Sequence, residues 1–462
     1  MDFDVIIAGC GPAGAMLAAE LRLHDVSVLV LERDTEPFSP ARIVSLQIRS
    51  IELMAMRGLL ERLLAHGRRR PAGAYFAAID KPAPAGFDSA YAYLLGIPQP
   101  VIVRLLEEHV ADRGGQVRRG VALTGLDQDD DGVTVETSGG ERLRTRWLVG
   151  CDGARSAVRK LLGVGFPGEP ARNETLMGEM AVAEIPAGVA DRRFMVRPSA
   201  DGLHRVIVPG VGVVDRTEPP TLDDFRRALR AITGSDLGVH SPRWLSSFGD
   251  ATRLADRYRV GRVLLAGDAA HIHPPIGGQG LNLGVQDAVN LGWKLAAQVR
   301  GWAPDGLLDT YQAERRPVAE DVLDLTRAQT ALLADEPGPR AALRLFAELM
   351  DVEEVNRRLI ERTSGIGIRY DLGPGPDPVG RRLPDVAVRG GRLYDLLHQG
   401  RGLLLDRTGR LTAGVWSDRV DHHADATAEF DAPAVLLRPD GYVAWAGDDQ
   451  RELDARLGHW FG

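Results

Sequence analysis

Residues 261–284 read GRVLLAGDAAHIHPPIGGQGLNLG, and this segment constrains the fold more than any other. Its apolar run ends at Gly267 and Asp268, and a turn rich in proline and glycine follows before an amphipathic stretch begins. This order predicts a strand, then a turn that faces a cofactor, then the N-terminus of a helix.

The N-terminus carries a complementary pattern. Residues 4–8, DVIIA, are mostly apolar and lead into GCGPAG, which has the GxGxxG spacing through Gly9, Gly11 and Gly14. Glycines there permit a tight turn and close approach of the backbone to a pyrophosphate, and the following helix directs its N–H groups at the same ligand. Residues 27–31 form a second apolar run that ends in Glu32, about the right distance along the chain to accept ribose hydroxyls. Together these features predict an adenine dinucleotide site.

A third segment favours a flavin dinucleotide over a transient nicotinamide one. Residues 148–159, LVGCDGARSAVR, predict a strand, a polar turn and a helix start, whereas a nicotinamide dehydrogenase needs only the first glycine-rich half. In this arrangement Asp268 is placed to accept hydrogen bonds from a ribityl chain. The amides of residues 278–282 would face the flavin pyrimidine edge, where negative charge appears on reduction.

Three segments, GCGPAG, CDGARSAVR and GDAAHIHPPIGGQGLNLGVQDAVNLGWKL, resemble in order and spacing the signature segments of the class A flavoprotein aromatic hydroxylases. The resemblance continues through YQAERRP at 311–317 and from GRRLPD at 380–385 to RPDGYVAW at 438–445. Within the family the chain looks like the branch that acts on polyketide antibiotics, and residues 49–168 most resemble the rifamycin monooxygenases. The resemblance implies an α/β fold: a Rossmann-like FAD-binding domain of the para-hydroxybenzoate hydroxylase type, an inserted α+β substrate domain and a C-terminal thioredoxin-like domain.

The positions of the cofactor motifs require a discontinuous flavin domain, which we expect to comprise residues 1–70, 99–175 and 251–335. Residues 71–98 and 176–250 contain alternating strand patterns and are expected to form the substrate domain. Residues 336–375 are predicted to be a helical linker region, with a Gly/Pro-rich segment at 373–378. The thioredoxin-like domain should span 376–462. It has no cysteine, which excludes thiol–disulfide chemistry and favours a role in packing or oligomerisation.

The motifs and the resemblance give the candidate site residues. The catalytic candidates are Arg42, which the family places beside the flavin, Pro275 and Gly277. The expected FAD-binding residues are Gly9, Gly11, Pro12, Ala13, Gly14, Glu32, Arg33, Arg42, Gln99, Arg104, Asp152, Asp268, Pro275, Gly278, Gly280, Leu281 and Asn282. For Arg42 and Arg104 the alternatives are a solvated loop arginine and an ordinary helix-surface arginine. The substrate-pocket candidates are Phe76, Tyr91, Tyr93, Phe194 and Arg197, although aromatic strand residues are more often part of a core.

The resemblance implies that NAD(P)H, with NADPH favoured, reduces FAD while bound only transiently, and the sequence has no second GxGxxG loop. Molecular oxygen is the implied co-substrate, and an FAD C4a-hydroperoxide would hydroxylate an electron-rich aromatic ring. Three interpretations stay open. The first is a monooxygenase that inactivates a rifamycin such as rifampicin. The second is a hydroxylase of another aromatic polyketide in antibiotic biosynthesis, and the third is a flavin-containing drug-binding protein or a reductase that inserts no oxygen.

Composition limits the other function classes. The net charge of −8 offers no basic surface for nucleic acid, and the run Arg68, Arg69, Arg70 is short enough to be a solvated face. No segment is long and apolar enough to span a membrane, and the first predicted strand leaves no room for a signal peptide, so we expect a cytoplasmic enzyme.

The two cysteines, Cys10 and Cys151, are expected to be structural thiols. His271 and His273 have no third ligand nearby in sequence, so no metal is expected. The expected partner is a small aromatic polyketide, and a homodimer stays open.

Overall fold

The computed structural model describes residues 1–36, 43–185, 194–214 and 218–462. Arg42, a candidate for both catalysis and FAD binding, lies outside the described residues. The described helices are α1 (Pro12–Leu23), α2 (Ile48–Ala55), α3 (Leu60–Leu64), α4 (Gln99–Asp112), α5 (Ala157–Leu161), α6 (Leu222–Thr233), α7 (Gln279–Arg300), α8 (Thr310–Leu332), α9 (Pro337–Leu349), α10 (Glu353–Ser364) and α11 (Gln450–Phe461).

The strands are distributed over several sheets. In the first half of the chain they are β1 (Phe3–Ala8), β2 (Val28–Glu32), β3 (Ile43–Leu46), β4 (Arg68–Pro71), β5 (Gly73–Phe76), β6 (Ile79–Pro82), β7 (Tyr93–Pro98), β8 (Gln116–Arg119), β9 (Leu123–Gln128), β10 (Val133–Thr137), β11 (Arg142–Gly150), β12 (Gly168–Glu169), β13 (Glu174–Ala181), β14 (Met195–Pro198) and β15 (His204–Pro209). In the second half they are β16 (His240–Gly249), β17 (Thr252–Leu254), β18 (Arg259–Val260), β19 (Val263–Leu265), β20 (His271–Ile272), β21 (Ala387–Val388), β22 (Gly391–Arg392), β23 (Gly402–Asp406), β24 (Val420–Ala424), β25 (Ala434–Leu437) and β26 (Val443–Gly447).

The largest sheet has the order β18-β19-β11-β1-β2-β8, and the pairings between β19 and β8 are all parallel. Val5, Ile6 and Ile7 of the central strand are fully buried, as expected for a parallel sheet covered on both faces. The carboxyl ends of β1, β2, β11 and β19 meet at one edge of this sheet. Ligands bind at this edge in doubly wound sheets, so the topology places all the cofactor motifs together.

A separate antiparallel sheet has the order β14-β15-β13-β16. Leu176, Val206 and Val208 on one face pack against Phe225 and Leu229 of α6, which gives this sheet its own apolar core. α6 begins at a capping box formed by the side chains and backbone of Thr221 and Asp224. This unit corresponds to the larger part of the expected substrate domain.

A three-stranded sheet, order β3-β7-β4, crosses the expected domain limits. The prediction places residues 93–98 in the substrate domain, whereas β7 pairs with β3 and β4 from the first flavin-domain segment. Leu46, Leu95 and Ile97 on one face of this sheet are fully buried in the main core. The division into domains stays a prediction, and at this limit the strand pairing differs from it.

The predicted linker region is largely helical and packed. α9 and α10 lie against the β5–β6 hairpin, and Leu325, Leu343 and Ile360 share an apolar cluster with Phe76. The Phe76 and Phe346 rings lie 4.9 Å apart. Residues 337–364 therefore form part of the body of the protein.

The C-terminal sheet has the order β24-β23-β25-β26, with β23 and β24 parallel and the other pairs antiparallel. Leu453, Leu457 and Phe461 of α11 are buried, which completes the cysteine-free thioredoxin-like unit. Among the described helices, none is both long and apolar enough to cross a membrane.

Candidate cofactor and active site

The sequence motifs converge around Ala13. A Cβ placed on Gly267 would lie 3.1 Å from the Cβ of Ala13, and one placed on Gly284 would lie 3.3 Å from the same atom. A Cβ on Gly9 would overlap the carbonyl oxygen of Cys151. The N-terminal turn, the β11 turn and the Gly267 turn are therefore in van der Waals contact.

The glycines of the first turn serve two purposes. Gly9 has a φ of 99°, and a Cβ on Gly14 would overlap the carbonyl oxygen of Gly9, so both are required by the packing of the chain itself. Gly11 has an ordinary φ of −72°, and no described atom lies within 4 Å of the position of its missing Cβ. α1 begins at Pro12, and no described side chain caps it. Its first N–H groups therefore have no side-chain partner in the part of the chain that the structure describes, as a pyrophosphate site requires.

Glu32 is held at the end of β2. Its carboxylate accepts hydrogen bonds from the backbone N–H of Cys10 at 2.7 Å and of Asp34 at 3.0 Å. This fixes the carboxylate beside the glycine-rich turn, where a ribose would lie. Arg33 is exposed and lies 3.7 Å from Asp34, so its FAD-binding role stays a prediction.

Asp152 organises the turn after β11. One of its carboxylate oxygens accepts hydrogen bonds from the backbone N–H groups of Ala157 at 2.7 Å and Val158 at 3.1 Å. The other oxygen, Oδ1, is buried without a described partner. Cys10 and Cys151, which flank the contact between this turn and the first one, are both free and buried. Burial raises the pKa of both thiols, which keeps them protonated.

The turn before α7 has an unusual backbone that side chains hold in place. Gly277 and Gly278 have φ values of 72° and 67°, which favour glycine. Asn282 accepts a hydrogen bond from the backbone N–H of Gln47 at 2.9 Å and donates to the carbonyl oxygens of Ser45 and Gly278 at 2.9 and 2.8 Å. The Gln47 side chain donates to the carbonyl oxygen of Gly277 at 3.0 Å. The N-terminus of α7 is consequently rigid, and no described side chain caps it.

The remaining predicted residues of this turn lie at its surface. Pro275 is exposed, whereas Gly280 and Leu281 are half-buried. The position of a Cβ on Gly280 would be 3.8 Å from the Asp268 carboxylate and 3.6 Å from Nε2 of His273. Asp268 therefore lies over the first turn of α7, with its side chain exposed.

A buried ionic network beneath Asp268 supports the turn. The Asp287 carboxylate accepts hydrogen bonds from the backbone N–H of Gly267 at 3.2 Å, Nε2 of His271 at 2.7 Å and Nε of Arg315 at 2.7 Å. Burial alone would raise the pKa of Asp287, but Arg315 and His271 outweigh it and hold the pKa below its usual range. The carboxylate is therefore ionised and fixes the strand-to-turn transition.

Sequence reasoning missed Gln47 and the Asp287 network. Gln47 follows a short strand and belongs to no recognisable motif, so it carried no signal. Arg315 lies inside the YQAERRP segment, which is one of those that carry the family resemblance. That segment is the sequence feature that could have pointed to Arg315.

The two predicted residues of α4 differ in surroundings. Gln99 is the first residue of the helix, which agrees with the expected helix start. Arg104 is half-exposed and pairs with Glu108 at 2.6 Å, the arrangement of an ordinary helix-surface arginine. Its contact with FAD stays a prediction. No group of three or more metal-ligating side chains occurs in the part of the chain that the structure describes.

The five substrate candidates do not share one set of contacts. Phe76 is part of the apolar cluster with Phe346, and Phe194 packs at the edge of the α6 cluster. Tyr91 donates a hydrogen bond to the Asp385 carboxylate at 2.7 Å, which ties it to the C-terminal segment.

Tyr93 and Arg197 complete the set. The Tyr93 ring lies under the Arg69 guanidinium at 4.9 Å. Arg197 is exposed on β14 near Tyr75, whose pKa burial raises and the Arg197 charge lowers. Tyr75 was not predicted, and Arg197 is near enough to affect it electrostatically. The substrate role of these residues stays a prediction.

The residues present fit FAD. Open space at Gly11, two uncapped helix N-termini, and carboxylates at Glu32 and Asp268 supply donors for phosphate and flavin and acceptors for hydroxyl groups.

Comparison with known proteins gives the same result. Residues 2–326 match the FAD binding domain family, and residues 377–462 match the C-terminal domain of aromatic-ring hydroxylases. The chain is 59% identical to the rifampicin monooxygenase of Streptomyces venezuelae, covering 100% of this chain and 99% of the relative. It is 57% identical to that of Rhodococcus hoagii, covering 99% and 98%. The solved structure of the anhydrotetracycline hydroxylase from Streptomyces rimosus matches with a TM-score of 0.94 and 41% identity, covering 100% of this chain and 99% of that one. The chain belongs to the FAD-dependent aromatic-ring hydroxylases and is a flavin monooxygenase.

Proposed function

We propose that this monooxygenase inserts one oxygen atom into a rifamycin such as rifampicin, with NADPH as electron donor and molecular oxygen as co-substrate, and thereby inactivates the antibiotic. The observation that carries this proposal is the 59% identity over the whole chain to a rifampicin monooxygenase. The contacts among the predicted FAD-binding turns also support it, since the N-terminal glycine turn, the turn after β11 and the Gly267 turn are all present and touch one another.

Different residues of these turns would bind different parts of FAD. The free N–H groups of α1 would bind the pyrophosphate, Glu32 the adenosine ribose and Asp268 the ribityl hydroxyls. When bound and reduced, FAD supplies the activated oxygen that is transferred to the substrate.

The turn before α7 would act at the reacting end. The uncapped N-terminus of α7 carries partial positive charge and would stabilise the negative charge that develops on reduction. Gln47 and Asn282 hold this turn in one conformation, so little reorganisation is needed during the reaction. Pro275 and Gly277 would form the wall that separates the reacting atoms from water.

The test is NADPH consumption by the purified, FAD-loaded protein with and without rifampicin, with the product identified by mass spectrometry. A stimulated rate and a product one oxygen heavier are expected. Anhydrotetracycline serves as the competing substrate, because a structural relative carries that name.

Each other outcome selects a different interpretation. Stimulation by anhydrotetracycline alone would indicate another polyketide as substrate. NADPH consumption that yields hydrogen peroxide and unchanged drug would indicate a reductase. Binding of rifampicin without stimulated consumption would indicate a drug-binding protein.

A further inference from the structure

Strand β4 carries three arginines that have no ionic partner among the described residues. Arg68, Arg69 and Arg70 are all exposed, and no described carboxylate lies within ion-pair distance of any of them. The molecule as a whole has a net charge of −8, and many of its other arginines are paired with a carboxylate. An unneutralised cationic strand in such a protein points to an anionic ligand.

The strand register divides these arginines between two faces. Arg68 lies opposite Gly96 of β7, which lies opposite Ser45 of β3, so Arg68, Gly96 and Ser45 form one row. Arg70 is on the same face, because alternate residues of a strand share a face. Its guanidinium donates a hydrogen bond to Oγ of Ser45 at 2.9 Å. Arg69 is on the opposite face, over the ring of Tyr93.

The face with Arg68 and Arg70 is connected directly to the flavin turn. The carbonyl oxygen of Ser45 accepts a hydrogen bond from Asn282, the residue that fixes the start of α7. With neighbouring strands about 4.8 Å apart, β4 lies about 10 Å from β3. A dinucleotide whose nicotinamide approaches the flavin turn is long enough to place its phosphates over this strand.

We propose that Arg68 and Arg70 bind the phosphate groups of the nicotinamide donor, in particular the 2′-phosphate of NADPH. This inference rests on the proposed function, in which NADPH is the donor. Guanidinium groups bind phosphate oxygens through paired, charge-assisted hydrogen bonds. The sequence offers no second glycine-rich loop for this ligand, so a cationic strand beside the flavin takes over the role that a phosphate-binding loop has elsewhere.

A charged edge strand also has a purely structural explanation. β4 is the edge of its sheet, and charged side chains on an edge prevent pairing with other chains. That explanation applies equally to all three arginines. The phosphate site requires only the two that share a face with Ser45, so Arg69 is a matched control within the same strand.

The experiment measures the dissociation constants of NADPH and NADH from the rate of flavin reduction without oxygen. The double variant R68Q/R70Q is compared with R69Q and with R410Q, an exposed arginine of the C-terminal unit. We expect the double variant to raise the dissociation constant for NADPH about tenfold or more and that for NADH less, since NADH lacks the 2′-phosphate. R69Q and R410Q should stay within about twofold of the original protein.

FAD content and the thermal midpoint are measured for every variant, so that a folding defect is recognised. An unchanged NADPH constant in the double variant would overturn the proposal, as would an equal effect of R69Q. A raised Michaelis constant for rifampicin with normal NADPH binding would place Arg68 and Arg70 in the substrate site and also overturn it.

If NADPH does not reduce the original protein, the proposed function fails. The phosphate site is then still tested by calorimetric titration with NADP⁺, where a loss confined to R68Q/R70Q supports it and no difference contradicts it.

Discussion

Gly9 and Gly11 lie two residues apart, yet an added methyl group should have different consequences at the two positions. At Gly11 the methyl would point into open space at an ordinary φ, so we expect G11A to fold normally. It would occupy the space proposed for the pyrophosphate, and we expect FAD affinity to fall by at least about tenfold, about 1.4 kcal/mol. Fluorescence titration with FAD and the thermal midpoint of the apoprotein measure the two effects.

The matched variant is G9A. Its methyl would overlap the carbonyl oxygen of Cys151 at a φ of 99°, so the apoprotein itself should be destabilised. If G11A lowered the apoprotein midpoint as much as G9A, the distinction between a packing glycine and a ligand glycine would be wrong.

Loss of the Asp287 charge should lower the stability of the protein at the flavin turn. D287N leaves Arg315 buried with no ionised partner, and breaking a buried pair in this way costs about 3–5 kcal/mol. Urea unfolding of the FAD-loaded protein measures the loss. The control is D324N, which removes an exposed partner of Arg327 and should cost less than about 1 kcal/mol.

Particular residues show what a sequence can indicate and where such reasoning stops. Glu32 and Asp268 are proposed as FAD ligands because each ends an apolar run beside a glycine turn, a pattern local in the chain, and that role stays a prediction. The partners of Asp287 come from distant segments, and Gln47 meets Asn282 only after β3 is placed against α7. No local pattern encodes such long-range contacts.

At the scale of whole elements, the same limit applies to sheets. The strands before the cofactor turns were predicted because their apolar runs end at glycines. The pairing of β7 with β3 and β4 was not, because the register of short strands is set by tertiary packing. The parallel sheet is therefore predictable from its turns, whereas the β3-β7-β4 sheet is visible only in the fold.

Helix α4 contributes a pH dependence through His109. Burial and the nearby Arg113 lower the pKa of this histidine to about 4, and Arg113 donates a hydrogen bond to its Nδ1 at 2.8 Å. The unfolded chain takes up a proton near pH 6.5, whereas the folded chain does not until pH 4. Stability should therefore fall as the pH drops from about 6.5 to 4, by about 1.4 kcal/mol per pH unit at most.

Urea unfolding at pH 7.5 and 5.0 measures this slope, and H109N is the test variant because it cannot titrate. In H109N we expect the free energy of unfolding to depend less steeply on pH, by at most the contribution of one proton. The carboxylates Asp129 and Asp425, whose pKa values hydrogen bonds lower to about 2, lose their contribution only below about pH 4 and do not interfere. An unchanged slope in H109N would show that His109 does not contribute to the pH dependence in this range.

At the scale of the molecule, the C-terminal unit is built into the flavin-binding body through the turn at 438–441. Arg438 binds the Glu314 carboxylate of α8 through two hydrogen bonds of 2.8 and 2.7 Å. Arg49 of α2 donates to the carbonyl oxygen of Asp440 at 2.6 Å, and Arg57 joins the carbonyl oxygen of Pro439 to Glu20 of α1. The same turn is therefore bonded to α8 and α2 and is linked through Arg57 to α1, the helix of the glycine-rich motif.

This arrangement predicts that the two parts unfold together. R438M leaves the carboxylate of Asp440 and part of that of Glu314 buried without a cation, so we expect the free energy of unfolding to fall by about 3–5 kcal/mol. Calorimetry and the fluorescence of released FAD should both show a single unfolding transition at a lower temperature. R410M, at an exposed ion pair of the same unit, should leave both signals unchanged. Because Arg438 belongs to the C-terminal unit and FAD release reports on the other part, the two signals separate if the unit is an independent appendage. A calorimetric transition that moves in R438M while FAD release stays at its original temperature would contradict the coupling.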